Sequence, residues 1–320
     1  MSMKKLLSVL TSAVLLSGAV CPQAILPDGS ALFSAPLTAS AAGGVMSGQT
    51  GVKSVSVTGA TLYFSLNAAH NGLVLCGCRL TGSEVRVTIP KTVRYNGRNY
   101  TVTAIGDYAF SNQTGLIYIY GDTESITAIG AAAFYNCVNL NGVGLTDKSS
   151  SCAVRTIGES AFSGCTSLSD IQFASGAETI GAHAFFECSN IWRIGLAAAQ
   201  SIGNAAFYHC SGAETIDLSG SQLTTIPLHA FANCEHAKEI HLPEGLSELG
   251  TMAFAGCRAV DTVYLPDSVT SVGESAFLCC DALKTVMMPE GVISVGNTAF
   301  FECPSMTYFV CKNPNAFLGS

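Results

Sequence analysis

Val272-Gly273-Glu274-Ser275-Ala276-Phe277-Leu278-Cys279-Cys280-Asp281-Ala282-Leu283-Lys284-Thr285-Val286-Met287-Met288-Pro289 is one copy of a pattern that fills most of this 320-residue chain. Reduced to its recurring positions it reads IGxxAFxxCxxLxxIxLP, with Val and Met as local replacements. Working outward, the alanine–phenylalanine pair returns at Phe110, Phe134, Phe162, Phe185, Phe207, Phe231, Phe254, Phe277 and Phe300, each Phe preceded by Ala. The intervals are 24, 28, 23, 22, 24, 23, 23 and 23 residues. A sequence period of this length is the mark of a stacked solenoid, because one such unit cannot bury its apolar face without a neighbour.

Within a repeat, an apolar residue stands six positions after the Phe, and nine after it an Ile, Val or Phe opens a short alternation such as Ile171-Gln172-Phe173 or Val263-Tyr264-Leu265. Alternation over a few residues reads as a strand with one buried face, so each repeat is expected to add a strand to a parallel sheet. Pro243, Pro266 and Pro289 then stop the strand. A glycine follows at Gly106, Gly130, Gly158, Gly181, Gly203, Gly250, Gly273 and Gly296, with Pro227 as the one replacement, and is read as allowing a backbone shape that other residues resist. The AFxxC spacing is read as a short helical turn aiming Ala, Phe and Cys inward.

Eight repeats carry a cysteine three residues after the Phe: Cys137, Cys165, Cys188, Cys210, Cys234, Cys257, Cys280 and Cys303. One cysteine per coil lacks the clustered pairs of a zinc site, and parallel side-chain vectors disfavour a disulfide ladder. The column is read as buried small hydrophobes. The first repeat has Gln113 instead, consistent with a capping coil.

With 48% hydrophobic and 12% charged residues the chain can build a large core and is not disordered. Its net charge of −7 is spread without a basic run, which argues against nucleic acid and anionic membrane as partners. Residues 1–42 are expected to be an export signal: Lys4 and Lys5, an apolar run from Leu6 to Val20, and small residues up to Ala41 and Ala42, with cleavage after Ala19 as the alternative. A secreted or cell-surface location follows, with no membrane insertion after signal removal. Residues 43–100 are expected to form a β-rich cap, in which Val52, Val55, Val57, Leu62, Phe64 and Leu66 alternate around Thr58-Gly59-Ala60 as a hairpin. The nine repeats fill 101–312, and 313–320 form a tail.

The AFxxCxxLxxIxLP phrase closely resembles the bacterial leucine-rich repeats of the Treponema pallidum type, found in Bacteroides surface protein A-like proteins. Val87-Thr88-Ile89-Pro90 and the segment Tyr95 to Val102 resemble the lead-in to the first repeat of that family. The resemblance implies a curved right-handed leucine-rich-repeat solenoid of α/β class. Its parallel β-sheet would line the concave face, with short helical turns and short strands on the convex face. It also implies adhesion to a protein or glycoprotein ligand, with host extracellular matrix or mucin as candidates. The wide interval before Phe162 marks an insertion near Thr146 to Ala153, a place where a ligand or mere tolerance are equally good explanations.

Side chains pointing away from the core on either side of the central strand residue vary while the rest repeats, so specificity belongs there. The binding candidates are Tyr118, Tyr120, Asp170, Gln172, Arg193, Asp217, Glu239, His241, Tyr264, Met287 and Tyr308. Tyr264, Met287 and Tyr308 are expected to form one patch, since Tyr gives contact area with a polar handle. Trp192 is assigned to packing at the sheet edge, and His183 and His229 to the surface of the convex turns. No HExxH, GxSxG, P-loop or dinucleotide glycine pattern occurs, and the carboxylates fall singly in separate coils. Cys76-Gly77-Cys78 reads as strand residues. The sequence therefore points to a binding module without catalytic residues, cofactor or metal, with a passive structural or spacer component of the cell surface as the alternative.

Overall fold

The computed structural model describes residues 51–121, 124–145 and 152–319. The expected export signal and Thr146–Ser151 of the insertion lie outside the described residues. The described chain opens with β1 (Lys53–Val57), β2 (Ala60–Leu66), β3 (Leu73–Leu80), β4 (Val85–Thr88), β5 (Thr92–Tyr95) and β6 (Arg98–Ile105). The first repeats then give β7 (Leu116–Tyr120), β8 (Ala128–Ile129) and β9 (Gly142–Gly144). The expected hairpin is present: β1 pairs antiparallel with β2, and β2 with β3. A second hairpin joins β5 to β6 across Asn96 and Gly97, both at positive φ, the conformation a tight two-residue turn requires.

Each coil feeds two parallel sheets. The variable sheet carries the candidate binding columns. It is in three pieces of three strands each: β4-β7-β9; then Arg193–Gly195, Thr215–Asp217 and Glu239–His241; then Thr262–Tyr264, Thr285–Met288 and Tyr308–Cys311. The glycine sheet is built from the dipeptide before each glycine; it runs from β3 through β6 and β8 to Ser201–Ile202, and again from Thr225–Ile226 to Phe317–Leu318. The expected tail thus contributes Phe317 and Leu318 as a strand.

The helical turns expected after each glycine are not formed, and the α/β class is corrected to a β-solenoid with almost no helix. Two residues in every coil are left-handed. Two positions before the Phe, φ is 57° at Tyr108, 55° at His183 and 53° at Met252; two positions after it, φ is 58° at Asn112, 58° at Glu187 and 60° at Asn233. A right-handed helix cannot run through such residues. The backbone instead alternates between local turns and bonds to the next coil: Tyr108 N–H donates to Ala131 C=O at 2.9 Å, Phe110 to Ala133 at 2.7 Å and Asn112 to Tyr135 at 2.7 Å. These bonds offset a conformation that costs a non-glycine residue about 1–3 kcal/mol. The one helical piece among the described residues is a 3-10 turn at Gln172–Ala174. It replaces the strand expected at Ile171-Gln172-Phe173 and interrupts the variable sheet.

The glycine column also has a different cause from the one expected. None of its members is at positive φ. A Cβ on Gly158 would lie 2.5 Å from the backbone nitrogen of Ala131, and one on Gly273 2.5 Å from the carbonyl carbon of Gly250. Glycine is needed because successive coils touch backbone to backbone. Its N–H donates to the preceding coil, as Gly158 does to Ile129 at 2.8 Å and Gly273 to Leu249 at 2.7 Å. Pro227 has no N–H to offer Ile202, and there the glycine sheet divides in two.

Between the sheets, the nine phenylalanine rings form a column with centroids 4.9 to 5.6 Å apart and planes within 10° of parallel. All but Phe300 are fully buried. The cysteine column is buried from Cys137 to Cys280, as expected, but it is more than filler. Each thiol donates to the carbonyl of the Phe one coil earlier: Cys137 to Phe110 at 2.9 Å, Cys188 to Phe162 at 3.1 Å, Cys303 to Phe277 at 3.2 Å. Gln113 belongs to the first Phe coil, which has no earlier Phe carbonyl to satisfy.

Candidate functional site

Parallel pairing in register lines the candidate residues up in rows. Tyr118 lies opposite Gly142 and Tyr120 opposite Gly144. Arg193, Thr215 and Glu239 form one row, and Gly195, Asp217 and His241 the next. Tyr264, Met287 and Val310 form a third, beside Thr262, Thr285 and Tyr308. The central residues Ile119, Val143, Ile194, Ile216, Val263 and Val286 are buried beneath these rows. Alternation therefore places nine of the eleven candidates on strands of three short parallel sheets.

Asp170 and Gln172 do not extend those rows. Asp170 reaches the sheet through an isolated bridge to Gly142, and its carboxylate accepts the Gln172 N–H at 2.8 Å. That bond opens the 3-10 turn, so Gln172 lies outside the regular strand register.

The rows differ chemically along the sheet. At the N-terminal end the Tyr118 and Tyr120 rings stand 4.5 Å apart. In the middle, Arg193 Nη2 pairs with Asp217 Oδ2 at 3.1 Å, and His241 Nε2 faces Glu239 Oε2 at 3.4 Å. Hydrogen bonds from Ser219, supported by Arg193, hold the Asp217 carboxyl below its ordinary range. At the C-terminal end, Tyr264 is 69% and Tyr308 56% exposed, with Met287 between them.

Three side chains depart from their expected places. Trp192 does not pack at the sheet edge; its side chain is 57% exposed, one residue before the strand Arg193–Gly195. His183 and His229 are not surface residues: both are buried in left-handed turn positions, and His229 Nε2 lies 2.9 Å from Met252 Sδ. Cys76 and Cys78 are strand residues of β3, with the Cys76 thiol donating to Tyr63 C=O at 3.3 Å.

The model of the BspA type leucine rich repeat region matches residues 91–211 and 200–320. The chain belongs to the BspA-type leucine-rich repeat family. Among solved structures, a leucine-rich repeat protein from Bacteroides ovatus is 24% identical, the match covering 81% of this chain and 77% of that one at a TM-score of 0.55. A leucine rich cell surface protein from Faecalibacterium prausnitzii is 21% identical over 80% of this chain and 94% of that one, TM-score 0.36. The leucine-rich repeat protein of Treponema pallidum is 19% identical over 83% and 86%, TM-score 0.29. The Bacteroides ovatus likeness is one of fold. No curated protein matches the chain.

In this BspA-type chain the variable sheet also holds two residues that the repeat count leaves out. Arg86 and Thr88 on β4 stand opposite Tyr118 and Tyr120 and extend both columns by one strand. Their signal is in the sequence: Arg86-Val87-Thr88-Ile89-Pro90 matches Thr262-Val263-Tyr264-Leu265-Pro266 position for position. Among the described residues, no group of three or more His, Cys, Asp or Glu converges as a metal site would, and no helix is long and apolar enough to cross a membrane.

Proposed function

We propose that this BspA-type chain is a secreted or surface-held, non-catalytic binding module that engages a protein or glycoprotein through its variable sheet. The reading is carried by one observation: exposed Tyr264 and Tyr308 lie on the strands either side of half-buried Met287, an uncharged group on three paired strands. The two tyrosines give large contact area at small entropic cost and the methionine an adaptable surface between them, residue types enriched at binding interfaces. The ion-paired middle rows, Arg193 with Asp217 and Glu239 with His241, supply a polar surround. The export signal expected at residues 1–42 supports placement outside the cell, where extracellular matrix and mucin proteins are the candidate partners.

The test is retention of purified full chain on immobilised matrix proteins and mucin. The wild type is expected to be retained, and Tyr264→Ala/Met287→Ala/Tyr308→Ala to lose binding by about a hundredfold. Unchanged retention by a triple variant with wild-type circular dichroism would remove the patch from the reading. Failure of the wild type to be retained at micromolar concentration would favour a passive spacer role.

A further inference from the structure

The N-terminal end of the variable sheet has a geometry unlike any other part of it. Gly142 and Gly144 leave the strand beside β7 without side chains, and the Tyr118 ring leans across both: an added Cβ at Gly142 would meet its Cε2 at 2.6 Å, and one at Gly144 its Cε1 at 3.1 Å. The Tyr120 ring stands 4.5 Å away at 34°, is 41% exposed, and its hydroxyl receives Arg86 Nη1 at 3.5 Å. On the far side, Asp170 bridges to Gly142; one carboxylate oxygen takes the Gln172 N–H, and the other has acceptor capacity left. Burial first, then Tyr120 and Asp170, raise the Tyr118 hydroxyl above its ordinary range, while Arg86 pulls it down. A carboxylate and a guanidinium therefore flank the same ring.

The geometry points to a binding platform for a neutral pyranose glycan at Tyr118 and Tyr120, with Arg86 and Asp170 as its hydroxyl-binding groups. An aromatic face is negative at its centre and attracts the weakly positive C–H face of a sugar ring. The two glycines have no side chain to lift the Tyr118 ring, which lies across their strand as the floor of the platform. Vicinal hydroxyls are both donors and acceptors, and an acceptor-only carboxylate opposite a donor-only guanidinium matches them. One positive and one negative group leave no net charge at the platform, so it offers no net attraction to sialylated or sulfated chains over neutral ones. This platform lies at the opposite end of the sheet from Tyr264, Met287 and Tyr308 and stands without the protein-binding reading.

The test is calorimetric titration of the full chain with neutral β-linked oligosaccharides of glucose, galactose and N-acetylglucosamine, and with a sialylated oligosaccharide. At least one neutral chain is expected to bind saturably, with affinity changing less than about twofold between low and high salt. Tyr120→Ala and Arg86→Ala, both at exposed positions, are expected to weaken it about tenfold or more. Gly142→Ala removes no aromatic group but lifts the Tyr118 ring, and is expected to weaken binding severalfold, whereas Ile293→Ala, at an exposed position outside the variable columns, leaves it unchanged. The platform is overturned if no neutral oligosaccharide binds, if only the sialylated one does, or if Tyr120→Ala and Arg86→Ala bind as the wild type. Matrix-protein retention that survives Tyr120→Ala separates this result from the fate of the Tyr264 patch.

Discussion

At the residue scale, the repeat positions carry backbone tasks that residue class conceals. The glycines after each Ile or Val are space-makers, so their tolerance should follow distance. Gly273→Ala, whose Cβ would sit 2.5 Å from Gly250, is expected to cost about 2–4 kcal/mol, against less than about 0.5 for Gly245→Ala, which has open space around it. Urea midpoints of the two variants measure the difference. The thiols divide in the same way. Burial pushes Cys137 and Cys257 up to about 12, whereas Cys303 is only half-buried and the neighbouring Cys280 draws it below its ordinary value. The thiolate is the reacting form, so iodoacetamide at pH 8 should alkylate Cys303 well before Cys257, as peptide mass spectrometry would read.

At the element scale, the AFxxC segment shows why spacing misled. Inward Ala, Phe and Cys fit a helical turn, but the position two after the Phe is Asn112, Asn136, Gly164, Asn233 or Gly256 in five coils, the residue types that best accept left-handed φ. That signal was legible in the sequence and outweighs the apolar spacing. Glu187 holds the same position at φ 58° and is exposed, so Glu187→Gly should stabilise by about 0.5–1 kcal/mol in spite of a freer unfolded chain, visible as a raised urea midpoint. The break in the glycine sheet has an equally local cause. Pro227→Gly restores the missing N–H, and hydrogen exchange should then find residue 227 protected by Ile202, as Gly250 is by Ile226.

At the scale of the whole molecule, the stack buries one imidazole in a way that links stability to pH. Burial pushes His183 below its ordinary value of 6.5, against a smaller opposing pull from Glu159. The unfolded chain therefore takes up the proton first, so this contribution is fully present above about 6.5 and is lost as pH falls toward the lower folded-state value. The thermal midpoint should drop between pH 7.5 and pH 5, and His183→Asn, which tolerates φ 55°, should shrink that drop. A drop of equal size in the variant would assign the acid sensitivity elsewhere. Coupling along the stack is short-ranged, each coil bonding to its neighbours, so the N-terminal aromatic platform and the C-terminal tyrosine patch should respond to mutation independently.

The sequence by itself determined the solenoid and the buried phenylalanine and cysteine columns, because stacking repeats the same contact in every coil and so writes it as a period. Its extra strand, Arg86 to Thr88, was written in the same code ahead of the first phenylalanine. Only the tertiary structure decided what happens between coils: that glycine answers a backbone approach, that each thiol binds a carbonyl one coil away, that Ile171-Gln172-Phe173 turns out of the sheet, and that the Tyr118 ring lies over Gly142 and Gly144. These are contacts between residues more than 20 positions apart, and a one-dimensional period gives their partners without giving their distance or direction.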